Sequence, residues 1–163
     1  MIIICAPILV ELNWNQFSNN NVSTNESGGM IENVQLFDME NEFSIQDVIA
    51  DSIRVMFRFP HGVCDCLEPE FADAVRKTVE CIGENRVLVI ISVKNSKDIY
   101  FFKERTQLSC TVFSTLDPLS DIYDVMQNPY VCIVFPDMTI KNVASINKNE
   151  INKLIEDVKS ILE

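Results

Sequence analysis

Residues 53–71 read IRVMFRFPHGVCDCLEPEF and contain the features that decide the fold. The first seven residues are dense in large and β-branched side chains, which predicts a β-strand over residues 53–59. Pro60 ends that strand because proline cannot donate a hydrogen bond to a sheet ladder. Pro69 suits the first turn of a helix, where the missing N–H costs little. A strand, a short loop with two cysteines, and a helix are therefore predicted in immediate succession.

Strands and helices alternate along the rest of the chain. Residues 86–93, RVLVIISV, form the most apolar run and predict a central parallel strand that is buried on both faces. The predicted strands cover residues 34–39, 53–59, 86–93, 109–115, 130–135 and 139–143, and the predicted helices cover residues 43–49, 69–82, 96–107, 119–127 and 149–162. This order predicts an α/β fold with a central mixed β-sheet and helices on both faces.

Local signals mark the ends of several predicted helices. Ser44 and Ser96 are predicted N-cap residues. Asn147 precedes Glu150 by three residues, which is the spacing of a capping box. Gly83 is placed to end the helix that follows the two cysteines.

The composition indicates one acidic globular domain. The chain has 163 residues, is 47% hydrophobic and carries a formal net charge of −11. A chain of this length suits a single domain with its own hydrophobic core. An acidic surface repels phosphate backbones and no basic cluster offsets it, so nucleic acid is excluded as a partner.

Residues 1–30 are predicted to lie outside the folded domain, which is assigned to residues 31–163. Residues 1–12, MIIICAPILVEL, are apolar but too short to span a bilayer, which takes about 20 residues. They are either an extension that packs on the domain or the remnant of a membrane anchor. Residues 13–30 are rich in Asn, Ser and Gly, which is typical of a linker.

From residue 34 onward the chain resembles the thioredoxin-like superfamily. VQLFDMENEFSIQDVI (residues 34–49) resembles the hairpin and short helix that precede the core in these proteins. IRVMFRF followed by HGVCDC resembles their first core strand and redox loop, and CLEPEF resembles the start of their active-site helix. NPYVCIVFPDMTIKNV (residues 128–143) resembles their second half, in which a proline with a cis peptide bond precedes the fourth strand. The matching residue is Pro129.

The nearest resemblance is to the small extracytoplasmic thiol–disulfide oxidoreductases of Bacteroides type. It implies a thioredoxin-like fold, dithiol–disulfide exchange with protein thiols or disulfides, and no dissociable cofactor. It makes Cys64 the nucleophile and Cys66 the resolving thiol, and it places Pro129 in the groove that binds the partner's chain. It favours an extracytoplasmic location, periplasmic or membrane-tethered through the N-terminus, over a cytoplasmic one.

The cysteine motif departs from the family pattern in its spacing. The family has two residues between its cysteines, whereas Asp65 alone separates Cys64 from Cys66. A disulfide between residues i and i+2 closes a small ring. This spacing predicts a strained and relatively oxidising couple.

The neighbours of the two cysteines have opposite effects on a thiolate. The start of the following helix favours negative charge, and a protonated His61 would act in the same direction. Asp65 opposes it because a neighbouring carboxylate raises the pKa of a thiol, and Glu68 and Glu70 do the same. The sequence therefore predicts a modestly activated thiol that is tuned by His61 and Asp65.

Three alternatives to thiol–disulfide exchange stay open. A redox-inactive thioredoxin-fold module would keep the fold and serve binding or interaction. A metal site would have only His61, Cys64 and Cys66 as ligands, fewer than zinc or copper sites usually need, so no metal is assigned. Peroxidase chemistry would need a threonine between Pro60 and Cys64, and the sequence has none there.

The remaining cysteines lie singly in or beside apolar runs. A buried free cysteine behaves as a small hydrophobic residue. Cys81, Cys110 and Cys132 are therefore predicted to be core residues, and Cys5 belongs to the apolar N-terminal run.

Overall fold

A computed structural model describes residues 29–163 as a seven-stranded mixed β-sheet with helices on its two faces. In chain order the helices and strands are β1 (Gln35–Phe37), β2 (Glu42–Ser44), α1 (Ile45–Ile49), β3 (Arg54–Phe59), α2 (Glu68–Ile82), β4 (Val87–Ile91), α3 (Ser96–Thr106), β5 (Val112–Ser114), β6 (Tyr130–Val134), β7 (Ile140–Ser145) and α4 (Lys148–Leu162). The predicted N-terminal extension and most of the predicted linker, residues 1–28, lie outside the described residues.

Strand β3 lies near the middle of the sheet, where parallel and antiparallel pairing meet. The strand order is β2-β1-β5-β4-β3-β6-β7. β3 pairs in parallel with β4, and β4 pairs in parallel with β5, whereas β6 runs antiparallel to both β3 and β7. The predicted α/β fold with a mixed sheet is confirmed, and so is the fully buried central strand, β4.

The two faces of the sheet are covered unequally. The apolar layer on one face combines alternate residues of β3 with the apolar sides of α2, α3 and α4. The layer on the other face packs alternate strand residues against the short helix α1 and residues 31–34. The alternation along β3 separates the faces, because successive side chains of a strand point in opposite directions. No helix among residues 29–163 has the length and apolar character needed to cross a membrane.

An aromatic cluster joins the start of α2 to the end of β3. The ring of Phe71 in α2 lies 5.9 Å from Phe57 and 5.2 Å from Phe59, measured between ring centroids. Phe102 of α3 closes the cluster at 6.0 Å from Phe59. These edge-on and tilted arrangements are the ones that aromatic quadrupoles favour. The cluster fixes where the chain must enter α2 after leaving the sheet.

Helix ends follow the local sequence signals with one shift. Asn147 caps α4 and Gly83 ends α2, both as predicted. The cap of α3 is Asn95 rather than Ser96, because Asn95 Oδ1 accepts a hydrogen bond from the Asp98 N–H at 3.1 Å. Asparagine at this position satisfies one of the free N–H groups of the first turn.

The α-helix predicted over residues 119–127 does not form. The segment consists of turns and one short 3-10 turn at Asp124–Met126. Its conformation is fixed by Asp124, whose carboxylate accepts hydrogen bonds from the Leu119 N–H at 3.0 Å and from the Tyr130 hydroxyl at 2.8 Å. These contacts, rather than helical backbone bonds, hold the segment that leads into β6.

Arg58 of β3 makes a buried ion pair with Asp124. Its Nε and Nη2 donate to Asp124 Oδ2 at 3.1 and 2.9 Å, and the two side chains are only 2% and 9% exposed. Arg58 Nη1 also donates to the Ile91 carbonyl at 3.1 Å, and Nη2 donates to the Asp117 carbonyl at 3.4 Å. One side chain therefore ties the C-terminal ends of β3 and β4 to the segment before β6.

We expect Arg58→Met to lower the free energy of unfolding by about 3–5 kcal/mol, because it leaves the Asp124 carboxylate buried without its cation. Urea unfolding followed by circular dichroism measures the change. The matched control is Arg76→Met, which removes an arginine from an exposed ion pair with Asp73 and from a hydrogen bond to the Thr106 carbonyl, and is expected to cost about 1–2 kcal/mol. A loss for Arg58→Met no larger than that of the control would contradict a structural role for the buried pair.

Candidate functional site

The loop between β3 and α2 leaves the sheet through a tight turn. Pro60 is buried, and His61 and Gly62 form an exposed turn. Gly62 has a φ of +82°, a conformation that side chains with a Cβ rarely adopt. A Cβ on Gly62 would lie 3.4 Å from the side chain of Gln127. The turn therefore packs against the segment that precedes β6.

Cys64 and Cys66 form a disulfide directly after this turn. Their Cα atoms are 5.2 Å apart, within the range of ordinary disulfides. Both residues are exposed. The structure thus brings the two predicted catalytic cysteines together at a position that solvent and a partner can reach.

The sulfur of Cys64 lies at the start of a helical segment. Cys64 is the N-cap of a 3-10 turn, Asp65–Leu67, that continues into α2. Its Sγ accepts a hydrogen bond from the Cys66 N–H at 3.2 Å, and its carbonyl accepts one from the Leu67 N–H at 3.0 Å. Unpaired N–H groups at a helix start favour negative charge, so this position suits a thiolate.

The carboxylates near the cysteines differ in their surroundings. Asp65 and Glu70 are exposed, as is His61. Glu68 is buried, and its carboxylate receives two hydrogen bonds from Arg105 of α3, at 2.9 and 2.7 Å. The carboxylate of Glu68 is thus paired with a cation from another helix, whereas no such partner is recorded for Asp65 or Glu70 among the described residues.

Sequence reasoning missed Arg105, although a signal for it exists. Ile99 and Phe102 mark the buried side of α3. Arg105 follows Phe102 by three residues, so its side chain lies next to that of Phe102 on the helix surface, at the edge of the buried side. The pKa of Arg105 is raised, chiefly by its hydrogen bonds to Glu68 and further by the charges of Glu68, Asp65 and Asp98.

Pro129 is buried and directly precedes β6. The contact of Gly62 with Gln127 brings the loop of the two cysteines close to this part of the chain. The cis peptide bond expected before Pro129 is not present. All peptide bonds within residues 29–163 are trans.

The remaining cysteines separate into exposed and buried ones. Cys110 and Cys132 are buried, as predicted, and burial raises the pKa of both thiols. Cys81, also predicted to be a core residue, is exposed near the end of α2. It lies beside the inward positions of that helix rather than on one of them, so the prediction of burial was wrong. Cys5 lies outside the described residues.

No cluster of three or more His, Cys, Asp or Glu side chains in the described part of the chain is arranged to hold a metal ion. The three ligands considered from the sequence are therefore not supplemented by others in residues 29–163.

Comparison with known proteins gives matches in structure only. No protein-family model matches the sequence, and no curated protein matches it significantly. A solved structure described as a thiol:disulfide interchange protein from Chlorobium tepidum has a TM-score of 0.65 at 10% identity and covers 85% of this chain and 99% of that chain. The thioredoxin domain of a thiol–disulfide oxidoreductase from Bacteroides vulgatus has a TM-score of 0.59 at 15% identity, over 85% and 99% of the two chains.

A yeast mitochondrial 1-Cys peroxiredoxin also matches, with a TM-score of 0.57 at 12% identity, over 85% of this chain and 76% of that chain. At these identities the likeness establishes the fold, so the chain has the thioredoxin fold, and the resemblance seen in the sequence is confirmed at that level. Because oxidoreductases and peroxiredoxins share this fold, the fold alone does not identify the chemistry of the site.

We expect the cysteines of the folded, reduced protein to react with iodoacetamide in two groups. At pH 8, Cys64, Cys66 and Cys81 should be alkylated about two orders of magnitude faster than Cys110 and Cys132, because raised thiol pKa values and burial both suppress the thiolate. Mass spectrometry of tryptic peptides measures the rates. The same reaction in 6 M guanidinium chloride is the control, since unfolding should remove the difference. Rapid labelling of Cys132 in the folded protein would contradict the assignment.

Proposed function

We propose that this protein is a thiol–disulfide oxidoreductase that exchanges electrons with protein thiols or disulfides through Cys64 and Cys66. The observation that carries the proposal is the exposed Cys64–Cys66 disulfide between the central strand β3 and the start of α2. A disulfide in this position can be attacked by a partner's thiolate without unfolding of the domain. The buried aromatic cluster beneath it keeps the position fixed.

In the reducing direction, the Cys64 thiolate attacks one sulfur of a partner's disulfide. A bond forms between Cys64 and that sulfur, the partner's disulfide breaks, and the other partner sulfur leaves as a thiolate that takes up a proton. The Cys66 thiol then loses its proton and attacks Cys64, which closes the Cys64–Cys66 disulfide and releases the second partner thiol. Two electrons pass from the protein to the partner, and the reverse sequence oxidises a dithiol partner.

Cys64 is the better nucleophile of the pair because of its place at the helix start. Its Sγ already accepts the Cys66 N–H, a hydrogen bond that favours the charged form of the sulfur. His61 and Asp65, both exposed beside the disulfide, tune this thiolate in opposite directions. Pro129 contributes backbone groups to the groove in which the partner's chain lies, and the contact between Gly62 and Gln127 supports this placement.

The proposed partner is a protein that carries a thiol or a disulfide. The exchange needs no dissociable cofactor, because the two thiols themselves hold both electrons. An extracytoplasmic location fits this chemistry, since disulfides persist in oxidising compartments. The apolar residues 1–12 would serve there as part of a membrane tether.

We expect Cys64 and Cys66 to be oxidised and reduced together in glutathione buffers. Trypsin releases residues 59–76 as one peptide that contains no other cysteine, so its mass reports the pair directly. As the ratio of reduced to oxidised glutathione is lowered, this peptide should lose two thiols in a single transition. Cys66→Ser should instead accumulate one mixed disulfide with glutathione on Cys64.

The matched control is Cys81→Ser, which removes an exposed cysteine of α2 and should leave the transition unchanged. A peptide that keeps both thiols, or its disulfide, at every glutathione ratio would end the exchange proposal. That outcome would favour the redox-inactive binding module.

A further inference from the structure

The redox loop and the start of α2 form an acidic stretch. Residues 61–75 hold four acidic side chains and no lysine or arginine. One of the four, Glu68, is the first residue of α2 and is only 8% exposed, two residues after Cys66. A thiolate formed at Cys64 would therefore meet mostly negative charge from its own part of the chain, including a carboxylate that water screens poorly.

Arg105 supplies a cation to this stretch from α3, 37 residues beyond Glu68. Its Nε donates to Glu68 Oε2 at 2.9 Å, and its Nη2 donates to Glu68 Oε1 at 2.7 Å. Two parallel hydrogen bonds of this kind fix the orientation of both groups as well as their distance. The Arg105 side chain is 53% exposed, so it lies at the boundary between the buried carboxylate and solvent.

Asp65, the residue between the two cysteines, also acts on this guanidinium through its charge. The charges of Asp65 and Asp98 add to the effect of Glu68 in raising the pKa of Arg105. The charged and titratable groups of this region are His61 and Asp65 from the loop, Glu68, Glu70 and Asp73 from α2, and Asp98 and Arg105 from α3. Among these groups, Arg105 is the one that carries a permanent positive charge.

We propose that Arg105 is a positioning residue for the redox pair, because its bidentate ion pair cancels the charge of Glu68 and lets a thiolate form beside a neutralised carboxylate. The inference rests on the proposed function, since this charge balance matters only for a cysteine that reacts as a thiolate. Arg105 acts through Glu68 and does not itself contact a reacting sulfur.

This role predicts effects of opposite sign for the two partners of the ion pair. Arg105→Gln leaves Glu68 without its cation and disfavours the thiolate, whereas Glu68→Gln leaves Arg105 without its anion and favours it. Removing both charges, in Arg105→Gln/Glu68→Gln, restores the original balance. If the ion pair served only to hold α2 and α3 together, both single substitutions would change the reactivity of the thiolate in the same direction.

The experiment measures iodoacetamide alkylation of the reduced full-length protein from pH 5 to 10 at low ionic strength, read on the tryptic peptide of residues 59–76. At pH 7 we expect Arg105→Gln to react about three- to tenfold more slowly than the unmodified protein, and Glu68→Gln to react faster by a similar factor. The pH midpoint should move up in the first variant and down in the second. The double variant should stay within about twofold of the unmodified protein.

Arg76→Gln is the matched control. Arg76 also contacts α3, through the Thr106 carbonyl, but it lies about 12 Å further along the axis of α2 than Glu68, and its ion-pair partner is the exposed Asp73. Its alkylation profile, read on the peptide of residues 59–77 that trypsin releases from this variant, should stay within about twofold of the unmodified protein. If Arg105→Gln does not fold, as judged by circular dichroism, the faster reaction of Glu68→Gln and a near-normal profile for Arg105→Lys carry the same test.

Changes of the same sign in both single variants, or no change in either, would overturn the role of Arg105. Glutathione titration of the unmodified protein separates this outcome from failure of the proposed function. If Cys64 and Cys66 exchange normally with glutathione but the alkylation profile does not depend on Arg105, only the role of Arg105 is contradicted. A pair that never exchanges with glutathione defeats the proposed function, whatever the alkylation profiles show.

Discussion

The packing of Phe71 against Phe57 and Phe59 is the interaction on which the arrangement of the site depends. It holds the first turns of α2 against the end of β3, so the connecting loop must cover a short and fixed distance. Close packing of aromatic rings allows little movement of either partner. This constraint places Cys64 and Cys66 at a helix start, because the short loop between β3 and α2 cannot extend away from it.

On the opposite face of β3, Arg58 fixes the other side of the same region. Its donors reach a carboxylate and two backbone carbonyls, in three different parts of the chain. Breaking such a pair is costly because the remaining charge stays buried. The end of β3 is therefore held from one face by apolar contacts and from the other by polar ones, and both faces contribute to a rigid base for an exposed disulfide.

Much of the fold could be predicted from local sequence signals, and much of the site's electrostatics could not. The strand over residues 53–59, the stop at Pro60, the helix end at Gly83 and the cap at Asn147 each depend on a few neighbouring residues. The ion pairs Arg58–Asp124 and Arg105–Glu68 join residues 66 and 37 positions apart, so a local pattern can place an arginine on a strand or helix face but cannot identify its partner. The failed helix over residues 119–127 has the same cause, since Asp124 is used by Arg58, Leu119 and Tyr130 rather than by a helix. The predicted burial of Cys81 was wrong because a shift of one residue along α2 separates its inward side from its exposed side.

The contact between Gly62 and Gln127 bears on how freely this loop could be moved between proteins of the same fold. Residue 62 has no Cβ, and a Cβ placed there would lie 3.4 Å from the Gln127 side chain, which belongs to the segment before β6. A graft of residues 60–67 into another scaffold would carry the two sulfurs and the left-handed turn, but not the side chain that the turn rests on. The conformation of the redox loop therefore depends on residues from two separate parts of the sequence, the loop itself and the segment before β6.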